Sequence, residues 1–180
     1  MTDMPRITLL PLGTPDRRAL DWLAQDLKGM GVDVEVASQR ALPREAFNAL
    51  RGQFHAGAIL GLAHSENGER VLAVTDGDLY ADDLNFVFGI AQPHGQACVI
   101  SLFRLRLGAS EQRFRSRALK EAMHELGHTF GLGHCSEPHC VMRFSNSLAD
   151  TDRKGAAFCR HCEEKLHSHS PPTPSRGLGR

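Results

Sequence analysis

The spacing of apolar residues predicts alternating strands and helices over the first two thirds of the chain. Residues 6–12 form a short apolar run, interrupted by Pro11, that reads as a first strand. Leu20, Leu23, Ala24 and Leu27 then recur at i, i+3, i+4 and i+7, so residues 15–30 read as an amphipathic helix with Thr14 as N-cap and Pro15 in its first position. Trp22 falls off that stripe. Residues 32–36 alternate as a second strand, 43–64 are mostly helical in pattern, and 70–75 and 97–105 read as further strands. Between the last two, residues 76–89 read as a loop of turn formers followed by aromatics. The pattern predicts an α/β (mixed α+β) fold, with a mixed, twisted N-terminal sheet flanked by helices.

Ser110 is the expected N-cap of a helix from Glu111 to about Phe130. Along it Ala118, Leu119, Ala122, Met123, Leu126 and Phe130 make one apolar stripe at about 100° per residue. His124 and His128 project from the other side, toward a cleft rather than a core. Residues 131–149 lack a helical period and read as loop, and a short helix is expected near Cys159. The polar, Pro-rich residues 168–180 read as a disordered tail. The expectation is one domain over residues 1–167, with an N-terminal subdomain to about 131 and a small C-terminal subdomain over 132–167.

The chemistry concentrates in His124-Glu125-Leu126-Gly127-His128-Thr129-Phe130-Gly131-Leu132-Gly133-His134, which fits H-E-x-x-H-x-x-G-x-x-H. Two histidines four apart share one helix face, so both imidazoles can reach one zinc ion. A continuing helix would carry His134 roughly 9 Å further along the axis. Gly131 is the residue able to take a left-handed conformation, end the helix and turn the chain back. Three protein ligands leave one position open for water, the mark of a catalytic zinc, and Glu125 is placed as general base toward a zinc-bound water. With ten histidines in 180 residues, the extended motif arises by chance in on the order of 2 in 10,000 such chains, which favours a metal site over histidines that merely fill a core.

Cys135, Cys140, Cys159 and Cys162 crowd the C-terminal third, the last two as Cys-x-x-Cys. Four thiolates in two close pairs suit a closed, structural zinc site, with disulfides as the alternative. The second pair is expected to open the terminal helix, whose positive end favours thiolates. His139 and His161 are read as solvated, and Cys98 as a buried inert thiol. Two zinc ions per chain are therefore expected, one catalytic and one structural.

Composition changes the picture only by exclusion. Lys and Arg number 21 against 21 Asp and Glu, with no block of like charge, so neither nucleic acid nor an anionic membrane is an expected partner. No run approaches the roughly 18 apolar residues of a membrane span, and the N-terminal apolar run is too short for an export signal. The reading is a cytoplasmic monomer acting on peptide or protein substrates.

The histidine motif with a downstream methionine, Met142, resembles the metzincin clan of zinc peptidases, in which that Met lies in a tight turn beneath the metal. The run of His134 into Cys135, Cys140 and Met142, followed by Cys159 and Cys162, narrows the resemblance to the archaemetzincins. The segments Asp78-Leu79-Tyr80 and Asn85-Phe86-Val87-Phe88-Gly89 are similar to that family as well. The resemblance implies a metzincin-like zincin fold with a central active-site helix, a small C-terminal subdomain holding a four-cysteine zinc site, and zinc-dependent peptide hydrolysis. It also implies that the strand before that helix, within residues 97–105, pairs with extended peptide. The rival reading is a catalytically weak or vestigial zinc-binding module that recognises peptides, against which an intact Glu125 argues.

Overall fold

The computed structural model describes residues 6–169. Its main sheet has five strands in the order β2-β1-β5-β9-β8: β1 (Ile7–Leu12), β2 (Val34–Val36), β5 (Arg70–Thr75) and β9 (Ala97–Ser101) run parallel, and β8 (Gly89–Ala91) lies antiparallel at one edge. Period-two alternation sorts β1 between two cores. Ile7 and Leu9 face α1 (Arg17–Gly29) and α4 (Glu111–Thr129), whereas Leu10 and Leu12 face α2 (Ala56–His64). Pro11 is tolerated in this interior strand because its missing N–H falls beyond the last β1–β2 pair, Leu9 with Val36, where its carbonyl still accepts from the Arg40 amide.

A second sheet of four strands, β3 (Phe47–Asn48), β4 (Gln53–His55), β6 (Leu79–Ala81) and β7 (Leu84–Val87), covers the α2 side. It corrects two expectations. Within residues 43–64 only α2 and a single 3-10 turn at Arg44–Ala46 are helical. Asn48 accepts from the Leu50 and Arg51 amides, and Gly52 takes φ +66°, so a tight turn pairs β3 with β4 where the apolar count suggested a helix. Residues 76–89, read as loop, supply β6, β7 and the start of β8. Asp78 fixes this sheet to the rest through a bidentate pair with Arg104 at 2.7 and 2.8 Å.

Other boundaries move for local reasons. Asp16, not Thr14, caps α1, its carboxylate accepting from the Arg18 amide, so Pro15 precedes the helix. The strand expected to reach residue 105 stops at Ser101, whose hydroxyl accepts from the Phe103 amide and starts α3 (Leu102–Leu105). Ser110 caps α4 as expected. The loop after α4 gives way at residue 148 to α5 (Leu148–Arg153), and α6 (Arg160–His169) follows Cys159 directly. Residues 168 and 169, assigned to the tail by sequence, are thus helical, and the remainder of that expected tail, 170–180, lies outside the described residues. Among the described residues no helix is long and apolar enough to cross a membrane.

Candidate active site and metal centres

Helix α4 is buried on both sides. Ala118, Ala122, Met123 and Leu126 pack into the core against the sheet, as the stripe predicted, while Leu119 and Phe130 are partly buried beside it. The opposite face is not the open cleft expected for His124. It carries Arg117, Lys120, Glu121 and His124 at i, i+3, i+4 and i+7, and the segment from residue 151 to 154 lies along it. Arg117, 4% exposed, forks onto Asp152 at 2.7 and 2.8 Å and also donates to the Leu105 and Leu107 carbonyls. Lys120 donates to the Thr151 and Asp152 carbonyls. Lys154 lies 3.4 Å from Glu121, both side chains almost fully buried, and Thr151 donates to the same carboxylate.

At the C-terminal end of α4 the three histidines converge. One ring nitrogen from each lies within 4.8 Å of the other two, and the Nε2 atoms of His124 and His128 are 3.1 Å apart. His124 Nδ1–H donates to the Val141 carbonyl at 2.8 Å and His128 Nδ1–H to the Leu132 carbonyl at 2.7 Å. Those acceptors fix the tautomer that leaves each Nε2 lone pair free for a metal. Burial, and after it the charge of Lys154, pushes His124 down to about 3, and burial also lowers His128 and His134, which favours the neutral ring that a metal requires. His124 is buried, His128 half-buried and His134 exposed, so the group opens to solvent past His134, whose ring lies 4.9 Å from the exposed Phe144.

Gly131 makes this convergence possible. It takes φ +89°, and a Cβ there would also collide with the His94 ring. The His94 amide donates to the His128 carbonyl, tying the β8–β9 hairpin to the helix end. Gly131→Ala is expected to cost at least about 1–2 kcal/mol from the left-handed backbone alone, measured as a lowered denaturant midpoint; an unchanged midpoint would contradict this account. Met142 is fully buried, and a Cβ on Gly127 would overlap its Sδ, so the methionine packs directly against the helix between the two histidine turns.

Glu125 is 5% exposed. The edge strand β8 crosses it so closely that a Cβ on Gly89 would meet Glu125 Cγ at 2.8 Å and the Val99 carbonyl at 2.6 Å. Burial, reinforced by Glu121 and opposed by Lys154, pushes its carboxyl well above the ordinary range. The approach of Gly89 overturns the expectation for residues 97–105. β9 is hydrogen-bonded to β5 on one side and β8 on the other, leaving no edge for a peptide, whereas β8 ends the sheet.

The four clustered cysteines form the second group, all Sγ atoms within 4.8 Å, with Cys135 and Cys159 3.8 Å apart and Cys140 and Cys162 3.7 Å apart. All are free thiols. A tetrahedral zinc with Zn–S of about 2.3 Å sets its sulfurs about 3.8 Å apart, and Zn–N of about 2.0–2.1 Å sets nitrogens about 3.3–3.4 Å apart, so both groups fit the ion. The Cys162 amide, directed at the Cys159 sulfur, holds that thiol below its usual range at the start of α6. His139 and His161 are exposed and outside both groups, and Cys98 is fully buried with its thiol pushed up by burial.

Sequence reasoning missed Lys154, Glu121, Arg117 and Gly89. Glu121 and Arg117 were signalled by polar residues at helical spacing on α4, a face that includes His124; nothing local marked Lys154, which follows α5, or Gly89.

The comparisons with known proteins agree with this geometry. The sequence model of peptidase family M54 matches residues 20–168. An archaemetzincin of Methanopyrus kandleri is 49% identical over 137 residues, covering 74% of this chain and 78% of the relative. The crystal structure of archaemetzincin from Archaeoglobus fulgidus, complexed with malonate, superposes with a TM-score of 0.82 at 40% identity, over 89% of this chain and 99% of that one. A zinc-dependent peptidase from Methanocorpusculum labreanum superposes at 0.71 with 28% identity, over 89% and 99%. The chain therefore belongs to peptidase family M54, the archaemetzincins, and is a zinc metallopeptidase.

Proposed function

We propose that the enzyme hydrolyses peptide bonds at a zinc held by His124, His128 and His134, with Glu125 as the general base. The observation that carries this reading is the convergence of three imidazoles, open to solvent past His134, at the C-terminal end of a helix that buries a carboxylate beside them. Zinc, when bound there, supplies a Lewis acid that polarises a carbonyl and acidifies water. Glu125 takes the water's proton and returns it to the leaving amine, and its poorly solvated position raises its affinity for that proton. The Val141 and Leu132 carbonyls keep the two helix imidazoles oriented, and Met142 supports them from below.

Extended substrate pairs with β8, whose outer edge is unpaired among the described residues and whose Gly89 passes against Glu125. Cys135, Cys140, Cys159 and Cys162 hold a second, structural zinc, making two per chain, and the domain is a single catalytic unit with its C-terminal subdomain anchored by that site. The free thiols suit a reducing compartment, so the enzyme is read as cytoplasmic, and as a monomer. A peptide-library digest at measured zinc content tests the reading. Cleavage that stops on chelation and returns with zinc is expected; peptides bound but left intact by the zinc-loaded protein would transfer it to the recognition-module class.

A further inference from the structure

Lys154 stands out because an ammonium is placed where water does not reach. Its Nζ, on a side chain 1% exposed, lies 3.4 Å from Glu121 Oε1, donates to the Arg143 carbonyl at 3.3 Å, and is 3.4 Å from His124 Nδ1. An apolar pair of the same volume would fill this space at equal or better stability, because desolvating two charges offsets their attraction. Stability alone therefore does not explain the pair, and its neighbours offer another reason.

Three connections meet at Lys154. Glu121 sits on α4 one turn before His124, so it anchors the ammonium to the helix that carries the first two histidines. The Arg143 carbonyl belongs to the turn that contains Val141, whose carbonyl orients His124, and Met142, which packs on Gly127. The backbone after Lys154 is stitched to that same stretch, the Gly155 amide donating to His139 and the Val141 amide to Ala157. Since His124 Nδ1–H already donates to Val141, the ammonium does not bond the ring; it braces the turn on which the ring is hung.

We propose that Lys154, held by Glu121, is a positioning residue that locks the 141–143 turn to α4 and so sets the orientation of His124 toward its metal. This rests on the assignment of His124 as a zinc ligand. The partner of a ligating histidine fixes ring orientation, and loss of such a partner typically lowers metal affinity 10–100-fold; Lys154 and Glu121 act one step further out, on the partner itself.

The test compares the wild type with two double variants that leave no uncompensated charge: Glu121→Met/Lys154→Met, apolar throughout, and Glu121→Gln/Lys154→Gln, which keeps a donor for the Arg143 carbonyl. Thermal melting reports folding, zinc competition reports affinity, and a hybrid with zinc kept in the cysteine group and cobalt in the histidine group reports ligand geometry through the d–d bands of the histidine-held ion. The Met pair is expected to melt like the wild type yet lose about tenfold or more in affinity at the histidine site, with shifted d–d bands and a lower kcat at unchanged KM. The Gln pair is expected to recover most of this. A Met pair that folds with wild-type affinity, spectrum and kcat overturns the proposal, as does a Gln pair that folds but recovers nothing. A His124→Ala control separates the two levels: if it takes up metal just as the wild type does, the histidine site itself is wrong and the proposal falls with it.

Discussion

Glu125→Gln is expected to lower kcat/KM by about 10²–10⁴, or roughly 3–5 kcal/mol of transition-state stabilisation, with zinc content unchanged. The amide preserves volume, and Glu125 is not among the three converging nitrogens, so the metal group stays intact. What is lost is the ability to accept a proton. Stability gives an independent readout. Burial pushes the Glu125 carboxyl well above its ordinary range, so the folded state holds its proton more tightly than the unfolded chain, and stability falls as pH rises through the unfolded value. A neutral amide removes that penalty, and the metal-free variant at pH 7 is expected to melt no lower than the metal-free wild type. Full turnover by a zinc-loaded Glu125→Gln enzyme would remove Glu125 from the mechanism.

Cys140→Ala is expected to halve the zinc content and release the C-terminal segment. Cys140 is 1% exposed, and its sulfur faces Cys162 at 3.7 Å and accepts from the Cys159 amide at 3.3 Å. A structural zinc contributes on the order of 10 kcal/mol to the fold around it, comparable with the whole stability of an ordinary domain. The apolar contacts of residues 135–169 cannot replace that: Val141, Met142 and Leu148 pack on the core, while α6 offers little beyond Cys162 and Leu166. Because Cys135 follows His134 directly and its amide donates to the Met142 carbonyl, the loss should reach the histidine group and reduce turnover as well. Hydrogen exchange would check this, with rapid exchange expected over α5 and α6 and retained protection in β1, β5 and β9. A variant holding two zinc ions and protected α6 amides would show that the four thiols do not form the site.

The same two groups show how far local sequence reaches. H-E-x-x-H on a helix and a glycine that can turn the chain are statements about residues within eleven positions, and their geometry follows from helical pitch and the left-handed freedom of Gly131. The Cys-x-x-Cys at the start of α6 and the N-cap Ser110 are equally local. Reading failed where neighbours in space outweighed neighbours in sequence. Residues 43–64 carry enough apolar spacing to pass for a helix, yet Phe47 and Phe54 pair across a turn made by Asn48 and Gly52. Residues 76–89 gain strand structure from partners up to 25 positions away, such as Phe54 with Leu79.

By itself the sequence pointed to the family and supplied the proposed metal ligands, the proposed base and the helix that carries them, because each depends on residue types at short fixed spacing. The tertiary structure alone decided which strand is the open edge, since among the described residues nothing pairs with the outer side of β8. It also decided that the polar face of α4 is enclosed rather than exposed, a consequence of Arg117, Glu121 and His124 meeting residues 141–154 across a gap that no local pattern encodes.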